Sequence, residues 1–293
     1  MNCENISVAG LPWVGGKKSK YKYYREHFPK EIDTLVDLFA GGGTISFSTP
    51  AREIITNDID QNLINLYTVL KSEKNWEKIL DYEKSEGNFR NAHDIIRRYC
   101  VYLDNITRAK YTVADIFMSF NKGRGSYRKA LDNESQEKYH ARVKKCLGDI
   151  QKQLQKKNIH FECKDALELL REYIDREDVF IFADPPYINS TINNHVYYEE
   201  MLLDGNQEML AYLLANCKGK VMLCGYRDES SEVYDRHFRK NGDYCYELKE
   251  TYATCEKTMK GEKKGKRIEY IWTNYKIDTL KEVDIHNFEN FAA

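Results

Sequence analysis

Thr34-Leu35-Val36-Asp37-Leu38-Phe39-Ala40-Gly41-Gly42-Gly43 is a short apolar run that ends in an acid, an aromatic residue and three consecutive glycines. Such a run reads as a buried strand followed by a turn in which the backbone can be approached closely. Ten residues on, Glu53-Ile54-Ile55-Thr56 ends in Asn57-Asp58-Ile59-Asp60 in the same manner. Leu63, Leu66, Tyr67 and Leu70 then fall on one face of a helix, and Asp60 stands where a cap belongs. From about residue 71 to 158 the pattern is helical, interrupted by the glycine-broken basic loop Phe120-Asn121-Lys122-Gly123-Arg124-Gly125. A long charged helix is predicted from about Ser135 to Lys157.

Strands alternate with helices again after residue 158. Ile159–Cys163 precedes Asp165 and a helix through Leu170, and Val179-Phe180-Ile181-Phe182-Ala183 ends at Asp184-Pro185-Pro186-Tyr187. A helix around Met209–Leu214 leads to the strand Lys220–Cys224. Two strands near 244–251 and 267–275, joined by a Lys/Gly-rich loop, close the chain. The alternation predicts an α/β fold with a mainly parallel sheet ending in an antiparallel hairpin. The helical stretch 71–158 is then an insertion that divides a domain made of 1–70 and 159–293.

A chain of 293 residues is long enough for a substantial core. Its net charge of -1 argues against a protein that is basic all over, although local basic faces remain open. The 8 cysteines are scattered without a C-x-x-C pair, which predicts reduced, mostly buried thiols and no metal site. No apolar run reaches the roughly 18 residues of a membrane span, and the first residues lack a signal-peptide pattern. A cytoplasmic protein with no membrane contact is expected.

Open α/β sheets bind ligands at the carboxyl ends of their strands. The glycine run can bring backbone N–H groups to a ligand. Asp58 can accept hydrogen bonds from ribose hydroxyls, or it can simply be a solvated or capping acid. In Asp184-Pro185-Pro186-Tyr187, two of the chain's 5 prolines stand side by side after a buried strand. Proline locks φ, so the carboxylate and carbonyl before it form a rigid acceptor pair suited to an amino group. Tyr187 adds a planar face on which a base can stack.

These residues resemble a known family. Asp184-Pro185-Pro186-Tyr187 is similar to the catalytic motif of adenine-N6 methyltransferases that use S-adenosylmethionine. The glycine run resembles their cofactor loop, and Asn57-Asp58 the acidic end of their second strand. Pro12-Trp13-Val14-Gly15-Gly16-Lys17 resembles the W-x-G-G-K element that opens Dam-type DNA adenine methyltransferases. Glu269–Tyr275 resembles their closing strand, and the order of these motifs resembles that of the alpha group. The resemblance implies a Rossmann-like S-adenosylmethionine-dependent methyltransferase fold with 71–158 as a helical target-recognition domain. It implies Asp184, Pro185, Pro186 and Tyr187 as catalytic. It also implies that Trp13, Lys17, Asp37, Phe39, Gly41, Gly43, Asp58 and Asp184 bind cofactor. Asp165 is a weaker cofactor candidate, because capping of the next helix explains it equally well. After the catalytic motif, family members often carry Asp-His; here Asp204 is followed by Gly205-Asn206-Gln207, and no role is read there.

An exocyclic amine whose two protons are accepted by Asp184 and the Pro185 carbonyl can direct its lone pair at a methyl group. It reaches them only if the base is flipped out of the duplex. Between 121 and 157, eleven Lys and Arg face four acids, a concentration suited to tracking phosphates. Asn121, Lys122, Arg124, Arg128, Lys144 and Lys145 are the nucleic-acid candidates there, with Lys264 in the loop 257–267. The partner expected is double-stranded DNA, with a cognate restriction enzyme as a further one. Methylation of RNA or of cytosine N4, or a catalytically silent DNA-binding module, are the competing readings.

Overall fold

The computed structural model describes residues 8–120, 125–186, 204–227, 232–252 and 266–285. Tyr187, Asn121, Lys122, Arg124, Lys264 and the rest of the Lys/Gly-rich loop lie outside the described residues. The chain divides into two compact units, Met1–Arg25 with Ala40–Cys163, and Glu26–Phe39 with Lys164–Ala293. The helical stretch 71–158 therefore falls in one unit with the glycine run.

In the first unit, α1 (Tyr21–Arg25) and α2 (Thr44–Ser48) precede β2 (Glu53–Asn57) and α3 (Gln61–Ser72). β2 runs parallel to β3 (Ile159–Glu162), with Ile54 opposite Ile159 and Asn57 opposite Glu162. The helix read from Leu63, Leu66, Tyr67 and Leu70 is α3, and all four side chains are fully buried. Asp60 caps it, accepting from the Asn62 N–H at 2.9 Å. Three longer helices follow: α4 (Glu86–Arg98), α5 (Asn105–Met118) and α6 (Gln136–Gln155). Each begins at a polar cap: Ser85, Asp104 and Ser135 accept from backbone N–H groups two or three residues ahead. Along α6, Tyr139, Val143, Leu147, Ile150 and Leu154 form a buried stripe at helical spacing, so a charged helix still has an apolar seam.

The second unit contains β1 (Thr34–Asp37), α7 (Ala166–Tyr173), β4 (Val179–Ala183), α8 (Asp204–Ala215), β5 (Lys220–Tyr226), α9 (Glu232–Lys240), β6 (Tyr244–Tyr252), β7 (Lys266–Thr273) and β8 (Lys281–Glu282). β1, β4 and β5 pair in parallel. β7 then lies antiparallel between β5 and β6, and β8 adds to the far edge of β6. Every residue of β1 and β4 is buried, as expected of parallel strands covered on both faces. Phe28 packs on the rings of Phe180 and Phe182, with centroids 5.0 and 5.7 Å away. The mixed α/β fold and the closing antiparallel pair agree with expectation. Not anticipated from the sequence are α1, α2, α9 and β8, nor the start of α8 five residues before Met209. The six described cysteines, at 100, 146, 163, 217, 224 and 245, are free thiols.

Candidate active site

The glycine run is built from packing. Gly41 and Gly43 have φ of 47° and 73°, a left-handed conformation that side chains rarely adopt. A Cβ on Gly41 would lie 2.7 Å from Cδ1 of Trp13, so the indole sits directly on this backbone. A Cβ on Gly42 would lie 2.8 Å from the Leu11 carbonyl oxygen. The Leu11 N–H donates to the Gly42 carbonyl at 2.8 Å, tying the segment around Trp13 to the loop. The loop's own N–H groups are engaged internally: Gly41 donates to Asp58 Oδ2 and Gly43 to the Ala40 carbonyl, each at 2.8 Å. The N–H groups of Gly41 and Gly43 thus already have protein partners. Their missing side chains serve close approach.

Asp58 organises the acidic turn. One carboxylate oxygen takes the Gly41 N–H and the other takes the Asp60 N–H at 2.9 Å, and the residue is buried. It links the ends of two consecutive strand-and-turn segments of the sequence. Tyr67, on α3, adds a hydrogen bond from its hydroxyl to the Gly41 carbonyl. Lys17 is buried, donates to the Gly15 carbonyl at 3.3 Å and lies over the Tyr24 ring. Trp13, Lys17, Gly41, Gly43 and Asp58 are thereby gathered in one unit. The Thr44 hydroxyl, directly after the glycines, is buried with no hydrogen-bond partner among the described residues. A buried polar group left so is costly unless something else satisfies it.

In the other unit, β4 delivers the proline motif. Pro185 is buried, while Asp184 and Pro186 are half-buried where the strand leaves the core. Asp37, at the end of the neighbouring β1, is buried, and Phe39 is half-buried. Asp165 caps α7, accepting from the N–H groups of Leu167 and Glu168 at 2.9 and 3.2 Å. Both hydrogen bonds fall on Oδ1.

Sequence reasoning missed what stands behind the motif. Gln207, on α8, is buried and donates through Nε2 to the Pro186 carbonyl at 3.4 Å. Tyr234, on α9, donates its hydroxyl to Gln207 Oε1. The Tyr234 ring meets Trp272 edge-on, with centroids 5.2 Å apart. The Trp272 indole N–H donates to Asp235 at 2.7 Å, and Arg227 Nε donates to the same carboxylate at 2.9 Å. Burial pushes the Asp235 carboxyl up, against the lowering by these two donors. The polar run Asp204-Gly205-Asn206-Gln207 offered no apolar signal from which this could be read.

The basic segment has a defined neck. The Phe120 N–H donates to the Ser126 carbonyl at 2.7 Å, and the Arg128 N–H to the Met118 carbonyl at 2.9 Å. Ser119 and Tyr127 pair antiparallel between them. The predicted basic loop therefore springs from a closed two-stranded base. Tyr127 anchors it by donating to Asp132 at 2.8 Å; burial first, and then this acid, push the phenol up to about 12. Arg128 and Lys145 are exposed, and Lys144 makes an exposed ion pair with Glu77 at 3.0 Å. Such pairs are worth little in water and can be exchanged for a phosphate contact.

Comparison with known proteins agrees with this arrangement. Residues 13–254 match the family described as D12 class N6 adenine-specific DNA methyltransferase. The chain is 28% identical over 194 residues to the Type II methyltransferase M.FokI of Planomicrobium okeanokoites, covering 62% of this chain but only 29% of that protein. It is 24% identical over 250 residues to the Type II methyltransferase M.CviBI of Paramecium bursaria Chlorella virus NC1A, covering 82% and 91% of the two chains. It is 26% identical over 223 residues to the DNA adenine methylase of Escherichia coli (strain K12), covering 69% and 74%. With the family's motifs in order and its model matched over most of the sequence, the chain belongs to the D12 class N6 adenine-specific DNA methyltransferases.

Proposed function

We propose that the chain methylates N6 of an adenine flipped out of duplex DNA, with S-adenosylmethionine as methyl donor. The observation that carries this reading is the Asp184-Pro185-Pro186 backbone, issuing from a strand buried along its whole length. A carboxylate and a proline-locked carbonyl there can accept the two amine protons and stabilise positive charge developing on nitrogen. In this reading Tyr187 stacks the extruded base. Unstacking costs a few kcal/mol, which contacts to the strand offset.

The first unit suits the donor molecule. The buried Thr44 hydroxyl, without a hydrogen-bond partner among the described residues, offers a polar group to a ligand next to the glycine run. Trp13, Lys17, Gly41, Gly43 and Asp58 would hold it from this unit; in the second unit, Asp37, Phe39, Asp165 and Asp184 are the residues the family resemblance assigns to the cofactor. Bound there, S-adenosylmethionine supplies an electrophilic methyl group on a sulfonium. The helical segment 71–158, inserted between catalytic segments 1–70 and 159–293, would recognise the target. Arg128, Lys144 and Lys145 would meet phosphates, and Asn121, Lys122, Arg124 and Lys264 would extend that surface. A DNA substrate would be met in the cytoplasm, the location this reading takes, and the Type II names of two relatives support a cognate restriction enzyme as partner.

The test is transfer of labelled methyl to duplex DNA and to structured RNA of matched sequence, in parallel. Incorporation into duplex DNA is expected to exceed that into RNA by at least about tenfold, a difference of some 1.4 kcal/mol in barrier. Labelling of RNA alone would reject the DNA substrate and equal labelling would reject its preference for DNA; cofactor binding without any turnover would favour a silent binding module.

A further inference from the structure

We propose that Gln207 and Tyr234 are a positioning pair for the methyl-transfer motif: Gln207 steadies the Pro186 carbonyl, and Tyr234 holds Gln207 in the orientation that does so. The inference rests on the reading of Asp184–Tyr187 as the catalytic motif. Its physical basis is a weakness built into that motif. Two successive prolines have no N–H, so this backbone cannot be secured by donating hydrogen bonds. Only its carbonyls can be anchored, and the donors must come from elsewhere. Gln207 Nε2 is such a donor, 3.4 Å from the Pro186 oxygen, on a side chain only 1% exposed.

The direction of the amide follows from the same chemistry. Pro186 offers an acceptor alone, so the NH2 end of Gln207 must face it; the reversed amide would set two acceptors against each other. Oε1 then faces Tyr234, and the phenol must donate. Tyr234 has little freedom to do otherwise. It is buried, it lies against Trp272, and the Trp272 indole is fixed in turn by Asp235 and Arg227. Gly225 makes room for that indole, since a Cβ there would lie 3.2 Å from its Cζ3. Position is thus passed from α9 and β7, through one buried amide, to the residue preceding Tyr187. The contacts run to the Pro186 carbonyl and between the two side chains, so the pair acts through the motif's geometry. Displacements well below an ångström matter in a site that works by alignment.

The experiment is a double-mutant cycle on single-turnover methyl transfer by the full chain, with cofactor affinity and Tm measured on each protein. Gln207→Leu is expected to slow transfer roughly 5- to 30-fold and Tyr234→Phe roughly 3- to 10-fold, the scale of a lost buried hydrogen bond. Cofactor affinity should change less than about twofold in both, as expected when geometry of the motif rather than binding is lost. Because Tyr234 acts through Gln207, the double variant should be no slower than Gln207→Leu alone. Gln207→Glu supplies a readout that scaffolding alone would not move: a protonated carboxyl can donate to the Pro186 carbonyl and an ionised one cannot. Its rate relative to wild type should therefore fall as pH rises, whereas the Gln207→Leu ratio should stay flat. Effects that multiply, a flat Gln207→Glu ratio, or rate losses that merely follow Tm would overturn the pair. Wild-type transfer to adenine is measured in the same series. Its absence would overturn the functional reading and the pair together, while its presence with multiplying effects would overturn the pair alone.

Discussion

Replacing Asp184 with alanine is expected to slow methyl transfer at least about 100-fold while leaving Tm within a degree or two of wild type. The side chain is half-buried just beyond the end of β4, not in the packed core, so its removal is expected to cost little packing. What is lost is one preorganised acceptor at the place where charge develops, and such a contact is typically worth 10²–10³ in rate. Asp184→Asn retains an acceptor oxygen and should lose less than Asp184→Ala. Single-turnover rates with saturating donor and DNA check both. A residual rate in Asp184→Ala above about a hundredth of wild type would remove Asp184 from the catalytic role.

The second large effect is on stability. Gly43→Ala is expected to destabilise the fold by about 2–5 kcal/mol, combining a left-handed residue with overpacking. The φ of 73° is unfavourable for alanine, and its Cβ would fall 2.1 Å from Cε2 of the buried Phe47 ring. Gly15→Ala separates the two contributions. Gly15 has nearly the same φ, 70°, but nothing lies within 4 Å of its added Cβ. It should cost only the backbone part, about 1–2 kcal/mol. Urea unfolding of both variants measures the difference, and equal losses would show that Phe47 does not press on the loop.

The strands that could be read each carry a short apolar run punctuated by Gly, Asp, Asn or Pro. β1, β2, β4 and β5 all carry that signal, and α3 carries a clean one-sided spacing. α9 was illegible for the opposite reason. Its inward face includes Asp235 and His237, which are buried by partnership with Trp272, Arg227 and Glu208 and not by apolarity. β8 is two exposed residues defined only by pairing with β6.

The candidate site divides along the same line. Residue types required by the chemistry itself, such as the Asp-Pro-Pro-Tyr acceptors and the glycines, can be read from the chain. Asp58 is legible as an acid at a strand end, but the sequence does not say that the N–H groups of Gly41 and Asp60 occupy its two oxygens. Gln207 is further out of reach. Its contact with Pro186 depends on how α8 and α9 pack, and no local pattern encodes that. The neck around Ser119 and Tyr127 is likewise a tertiary feature, since neither flank alternates long enough to read as a strand.

The most direct measurement identifies the atom that is methylated. Duplex DNA rich in varied sequence is incubated with the protein and S-adenosylmethionine carrying an isotopically labelled methyl group. The product is digested to nucleosides, which are separated and weighed. Label confined to N6-methyldeoxyadenosine, and lost in Asp184→Ala, is the result expected here. Label in N4-methyldeoxycytidine, or equal label in the Asp184→Ala reaction, would contradict the account.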